Sequence, residues 1–286
     1  MKILFLSIVL CASLSFAIDI PEVRDVNGFA AEKRDIQVIE SVGEAILGDD
    51  TTPAQAKAMA LNNARRSAIE EASGVVIHGS TVVYNYQLIS DLVKASTRGL
   101  IVKEEILIDD IKKDGKQIVY GTKIRVHVKP LEYKDRGGLN ILKGEIYRYG
   151  SSPVSTTMVF QENDEIQIKA KVNSDAYIHI FGISQDGMVT KLYPNEYFKP
   201  EILPQEIEFI FPDERQRGLG FKLNVRTPRG LRKAVETILI IAAKVRKDFL
   251  SDKNVDEVTV TDLMKELSDI DTILWTEQTV GYEVRK

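Results

Sequence analysis

Residues able to carry covalent or metal chemistry are scarce here: the 286-residue sequence has one cysteine, three histidines and one tryptophan. The cysteine, Cys11, lies in an apolar N-terminal run, so a disulfide framework, a thiol nucleophile and a thiolate metal site all lack material beyond it. His78, His127 and His179 stand about fifty residues apart, without the His-x-x-x-His or His-x-x-Glu-His spacing of a zinc or catalytic cluster. The Gly-x-x-x-x-Gly-Lys-Ser/Thr, Gly-x-Gly-x-x-Gly and Gly-x-Ser-x-Gly patterns are absent, which leaves phosphate cradles and serine-hydrolase elbows without a carrier. Neither sign of charge is in excess: 38 Lys and Arg against 42 Asp and Glu give −4, so no nucleic-acid partner is expected. Long apolar runs are missing after the N-terminus. The most apolar later stretch, Ile238 to Ala243, has the length of a strand buried on both faces.

What is present is globular. Hydrophobic residues make up 44% and charged residues 28%, which rules out a disordered or collagen-like chain. At roughly 100 to 200 residues per domain the length suggests two domains. Met1-Lys2, the apolar run Ile3 to Leu14 and Ser15-Phe16-Ala17 have the pattern of a secretory signal peptide cut after Ala17. Lipid attachment at Cys11 needs a small residue before it, and Leu10 stands there. The expectation is an exported chain, periplasmic or outer-membrane-associated, with 1–17 as leader and 18–35 as an N-terminal extension.

The first module is expected over 36–130. Ile36 to Leu47 reads as a strand, with Gly43 a bulge or a point of close approach. Thr52 and Pro53 suit the cap and first position of a helix, Gly74 suits its end, and Ala54, Ala58, Leu61, Ala64, Ala68 and Ala72 form a narrow small-residue face. A less regular helix spans about Gln87 to Ala95. Leu100 to Asp110 and Gln117 to Lys129 then flank Lys113-Asp114-Gly115-Lys116, an Asp-Gly hairpin turn. In the second of these strands Ile118, Tyr120, Thr122, Ile124, Val126 and Val128 share one face, while Lys123, Arg125, His127 and Lys129 share the other and should see water. The unit reads β-α-(α)-β-β.

Gly43-Glu44-Ala45, Ala64-Arg65-Arg66-Ser67-Ala68-Ile69 and Ala72-Ser73-Gly74-Val75, continued by Thr81, Asn85, Leu88, Asp91 and Gly99, resemble the N-terminal domain of flagellar assembly protein T and related outer-membrane lipoprotein domains. The resemblance covers about 36–129. It implies an envelope protein of a Gram-negative type cell, with flagellar basal-body rings as one setting and other secreted or lipoprotein contexts as others. The chain departs from the lipoprotein members by lacking a usable lipidation site.

Residues 131–153, with Arg136-Gly137-Gly138 and Tyr149-Gly150-Ser151-Ser152-Pro153, read as a linker. Over 154–286 the period becomes two: Ile166 to Val172, Tyr177 to Phe181, Val189 to Tyr193, Ile207 to Phe211, Leu219 to Val225 and Val235 to Val245 are strands, and Leu274 to Val284 could be a last one. Strands at this spacing suggest a β-sandwich, followed by a helix capped at Thr259. The fold class expected is therefore α+β. Asp175-Ala176-Tyr177, Asp186-Gly187, Leu192-Tyr193-Pro194-Asn195, Pro212, Phe221 and Thr227-Pro228-Arg229-Gly230 resemble, over about 155–247, an uncharacterised bacterial domain family found behind lipoprotein, kinase-like or peptidase-like modules. That family implies a fold and no activity.

No residue is assigned a catalytic, cofactor-binding or metal-binding role. The acidic pairs Asp49-Asp50, Asp109-Asp110, Asp213-Glu214 and Asp269/Asp271 fall in turns or at element ends, where solvated carboxylates belong. His127 reads as a solvated strand residue and His179 as a half-buried one beside Tyr177 and Phe181. Of Arg65 and Arg66, about 100° apart on a helix, one should form a salt bridge or dock the linker and the other should be solvated. Arg226, Arg229, Arg232 and Lys233 cluster near a Pro-Gly turn, by default a solvated loop and otherwise a contact for lipid headgroups or peptidoglycan. The favoured reading is a non-enzymatic interaction or assembly module of a cell-envelope complex, its partners other envelope proteins, with no cofactor. A receptor for a small ligand or glycan, with a groove of Tyr177, Phe181, Tyr193 and Phe221, is the alternative; a hydrolase would need a buried cluster of histidine and carboxylate.

Overall fold

The computed structural model describes residues 36–48, 51–74, 85–96, 98–114, 117–131, 138–151, 158–251 and 258–286. The leader, the N-terminal extension, Asp49-Asp50, His78, the β-prone runs between Val75 and Tyr84, and Gly115-Lys116 lie outside them. The described chain is mostly β-strand, in three sheets, with four helices, in keeping with an α+β class.

Strand β1 (Gln37–Leu47) leads into helix α1 (Pro53–Ser73). Thr52 and Gln55 cap that helix reciprocally, side chain to backbone, and Gly74 ends it in the left-handed conformation at φ 68°. Helix α2 (Asn85–Ser96) follows, then the hairpin β2 (Gly99–Asp114) and β3 (Gln117–Pro130), paired inward from Asp114 opposite Gln117. Strand order is β1-β3-β2, all antiparallel, with α1 across one face.

The helix sits unusually close. After Ile39 the inward positions of β1 are small—Ser41, Gly43 and Ala45—and on this side α1 presents Ala56, Ala60, Ala64, Ala68 and Ala72 at every fourth residue, all buried. A Cβ on Gly43 would lie 2.0 Å from the Ala60 carbonyl oxygen and 2.3 Å from the Ala64 nitrogen. Gly43 is thus a close-approach point, and the β1–β3 register runs past it without a bulge. Ser41 donates to the Ala64 carbonyl at 2.8 Å, which holds helix to strand at the same place. The small-residue stripe corrects the expected one: Ala54 is exposed and Ala58 half-buried, and Ala56 and Ala60 replace them.

The remainder forms two further sheets. Strands β4 (Ile141–Arg148), β5 (Val159–Gln161), β6 (Glu165–Val172), β7 (Ala176–Ser184), β8 (Val189–Tyr193), β9 (Ile202–Leu203) and β10 (Glu208–Phe211) precede helix α3 (Glu214–Gly218). Then come β11 (Leu223–Asn224), β12 (Lys233–Ala243), helix α4 (Val260–Leu267) and β13 (Trp275–Arg285). One sheet has the order β10-β6-β11, with β4 also on β6; the other runs β5-β13-β12-β7-β8, with β9 also on β7. The expected strand over Leu219 to Val225 shrinks to β11 because Asp213 and Gln216 cap a short helix just before it.

The six-stranded sheet is buried on both faces, which accounts for the apolar run Ile238 to Ala243. Ile238, Ile240 and Ala242 pack with Ile168, Phe211 and Tyr282 between the two sheets. Leu239, Ile241 and Ala243 pack on the other side with Phe249, α4, α2 and the Ala64–Ala72 end of α1. Two expectations change here. The linker expected over 131–153 contains β4, which is paired along β6. The boundary expected near 150 does not separate two cores, because Ile124 and Val126 of β3 belong to one buried cluster with Phe181, Leu239 and Leu263.

Candidate interaction surface

Alternation along β1 puts Val38, Glu40, Val42, Glu44 and Ile46 on the face away from the helix. From Ser41 onward this reverses the usual hydropathy pattern, since Val42 and Ile46 point outward while Ser41, Gly43 and Ala45 point inward; Ile39, nearer the start of β1, is buried in the ordinary way. The cause is the alanine stripe of α1, which comes so close at Gly43 that no bulk fits there. Val38, Val42 and Ile46 are consequently 57%, 56% and 52% exposed, and Ile108 on β2 of the same face is 51% exposed. Through the middle runs a charged belt. Glu40 accepts from Lys123 at 2.7 Å and from Arg125 at 2.6 Å, and Arg125 reaches Glu105 at 3.6 Å. Lys123, followed by Arg125, holds the Glu40 carboxyl below its ordinary value. Lys123, Arg125 and His127 therefore occupy the wetter face, as alternation requires, although Ile118, expected with the buried set, is exposed near the end of the hairpin.

The two edges of this sheet differ. Edge strands invite pairing with other chains, and proteins blunt them with bulges, Lys and Pro. The β2 edge has two register shifts, between Ile101 and Lys103 and between Ile106 and Ile108, and carries Lys103, Glu104 and Glu105. The β1 edge has eleven residues in unbroken register, contains neither Lys nor Pro, and pairs only with β3 among the described residues. Glu44 carries no ion pair among the described residues. Pairs from α1 stiffen the platform: Arg65 grips Glu104 with two bonds of 2.7 and 2.8 Å, and Lys57 pairs with Asp109. Lys57, then Tyr120, lowers the Asp109 carboxyl. Arg66, for which solvation was the other expectation, pairs instead with Glu70 at 3.3 Å.

The candidates for chemistry are dispersed. His127 is half-buried on the outer sheet face, opposite Val38. His179 is fully buried rather than half-buried, packed edge-on against Phe249 with ring centroids 4.8 Å apart. Neither of its ring nitrogens has a hydrogen-bond partner among the described residues, and burial, then the Lys191 charge, pushes its pKa down to about 4. No carboxylate among the described residues bonds to it. Among the described residues no three His, Cys, Asp or Glu side chains converge on a metal-sized site. The groove imagined from Tyr177, Phe181, Tyr193 and Phe221 does not form: Phe181 faces the helical side of the six-stranded sheet, and Tyr193 and Phe221 lie between the two sheets. Of the acidic pairs, Asp213 and Asp271 are helix caps and Asp109 is the partner of Lys57. Arg226, Arg229, Arg232 and Lys233 are all exposed around the turn at Gly230.

Period-two alternation places the charged residues of β3 on the outer face but does not mark Val38, Val42 and Ile46. A usable signal was there, since Ser41, Gly43 and Ala45 alternate with larger residues and precede an alanine-rich helix that could cover only a small-residue face. No helix among the described residues is long and apolar enough to cross a membrane. The resemblance of residues 36–129 to flagellar assembly protein T is not matched by a family model. No curated protein matches the chain. Residues 159–246, from β5 into the loop after β12, match a family described as a domain of unknown function, DUF4384, within the span of the resemblance drawn from Asp186-Gly187 and Leu192-Tyr193-Pro194-Asn195.

Proposed function

We propose that this is a non-enzymatic, exported cell-envelope protein that engages a partner protein by strand addition along β1. The observation that carries this is the unblunted β1 edge beside Val38, Val42 and Ile46, set against a β2 edge that is bulged and charged. A partner strand gains main-chain hydrogen bonds from the edge and specificity from alternate side chains. The face defines that strand: aliphatic residues to cover Val38, Val42 and Ile46, and a basic residue within reach of Glu44. Export is supported by the Met1 to Ala17 pattern, after which the chain has no cysteine to be oxidised. The resemblance of residues 36–129 supports an assembly role, with a flagellar structure as one setting.

The test is a photo-reactive cross-linker at Val42 in intact cells, with the same group at Glu71 on the far side of α1 as control. The expected result is one adduct specific to Val42, lost in a Val38→Lys/Ile46→Lys variant, whose cross-linked segment alternates aliphatic residues and includes a basic one. An adduct of two copies of this chain, or equal adducts from Glu71, would overturn the reading.

A further inference from the structure

Between the two packed sheets, the rows of inward side chains stop short at one end. On β7 the inward row is Ile178, Ile180 and then Gly182; on β12 it runs from Ala242 through Ile240 and Ile238 to Glu236. Glycine thus stands where the row would place a third isoleucine, and a Cβ built there would meet only Leu192, at 3.7 Å. The missing side chain leaves a cleft of about 250 Å³ walled by Ile166, Leu192, Leu223 and Ile238.

Glu236 lines this cleft with Tyr282, the residue opposite it on β13. The Tyr282 hydroxyl donates to the Glu236 carboxylate at 2.5 Å, and among the described residues no cation pairs with that carboxylate. Burial, with Asp186 as the nearby charge of the same sign, raises its pKa. With Tyr282 as its one hydrogen-bond donor and no cation beside it, this half-buried carboxyl can take a cationic partner. Arg226 also lines the cleft, is exposed, and has no ion pair or hydrogen bond among the described residues. A ligand here would face a half-buried carboxyl with no cationic partner among the described residues, an aliphatic wall and the Arg226 guanidinium.

We infer that the cleft is a binding site for a small zwitterion, with an ammonium group taken by Glu236, an aliphatic stem along Ile166, Leu192 and Ile238, and a carboxylate taken by Arg226. Size sets the class. At roughly 30 Å³ per water molecule the space equals about eight waters, so an amino-acid-sized ligand fits and an oligosaccharide does not. The ammonium supplies the missing counter-charge beside Tyr282. Guanidinium–carboxylate pairing fixes the opposite end.

Calorimetry on the purified protein with 6-aminohexanoate, n-hexylamine and hexanoate at neutral pH tests this. Expected is the tightest binding for 6-aminohexanoate. Glu236→Gln should weaken both 6-aminohexanoate and hexylamine at least tenfold, whereas Arg226→Gln should weaken 6-aminohexanoate and leave hexylamine unchanged. Gly182→Val, which fills the cleft, should abolish binding of all three. If Glu236→Gln does not fold, Gly182→Val decides alone. Retained binding in Gly182→Val, hexanoate binding as well as hexylamine, or no 6-aminohexanoate binding at tens of millimolar by the folded wild type would each overturn the inference.

Discussion

Replacing His179 by Leu should reduce the acid sensitivity of this fold near pH 5. The imidazole is fully buried, its two nitrogens have no partner among the described residues, and its pKa falls from 6.5 to about 4 through burial and then the Lys191 charge. Between those values the unfolded chain binds a proton that the folded chain refuses, so stability rises with pH across the window and is lost on acidification. The neutral ring's contribution is complete above pH 6.5 and disappears as pH falls toward 4. With these two values the linkage relation gives a loss of about 2 kcal/mol between pH 7.5 and pH 5, approaching about 3.4 kcal/mol at lower pH.

Other groups titrate in the same region, so the comparison must be differential. Glu40, Asp109 and Glu208 have lowered values and lose their contribution as pH falls through the acid range; Glu236 has a raised value and acts in the opposite sense. All four are common to wild type and His179→Leu. Leucine is close to histidine in volume, and it exchanges two unsatisfied nitrogens for methyl groups while losing the ring-edge contact with Phe249. The losses and gains are each about 1 kcal/mol, so the variant should match wild type at pH 7.5 within about 1.5 kcal/mol. Urea unfolding at pH 7.5, 6 and 5 measures both profiles. Parallel profiles, or a His179 imidazole resonance that titrates near 6.5 in the folded protein, would refute the reasoning.

Gly43→Ala should destabilise by at least about 2 kcal/mol by forcing α1 off β1, read as a lower urea midpoint. Thr52→Ala removes one arm of the capping box and should cost about 1 kcal/mol by the same assay. Arg65→Ala leaves Glu104 partly buried without its bidentate partner and should cost about 1 to 3 kcal/mol, with Glu104→Gln in the same background recovering part of it. A protease site engineered at Gly150-Ser151 should yield, after cutting, two fragments that still co-elute, because Ile124 and Leu239 share one core and β4 stays paired with β6; separation on a sizing column would contradict that packing.

How much of this was legible in the sequence depends on whether a residue's type settles its side. Thr52, Pro53 and Gly74 bound α1 because capping and left-handed backbone restrict which residues serve, and those three stand where predicted. Along β3 charged residues alternate with apolar ones, so chemistry alone assigned the faces. Alanine carries no such information: Ala54 and Ala58 lie on one side of the helix start and Ala56 and Ala60 on nearly the opposite side, and only packing against Gly43, Ala45 and Tyr120 selects Ala56 and Ala60. β4 is hard to read from the sequence because its partner, β6, lies beyond an irregular segment and its own alternation is blurred by half-buried residues on both faces. The shared core was hidden for a different reason. Ile238 to Ala243 announces burial on both faces but cannot say what covers each, and it is α1, α2 and α4 that cover one of them. The candidate surface follows from the same tight packing. Because the alanine stripe claims the inward side of β1 for Ser41, Gly43 and Ala45, Val38, Val42 and Ile46 have nowhere to go but outward, beside an edge with no bulge to protect it. Adding bulk inside and removing it outside should therefore have opposite consequences: Gly43→Ala weakens the fold, whereas Val42→Thr leaves the urea midpoint within about 0.5 kcal/mol and weakens only the partner contact.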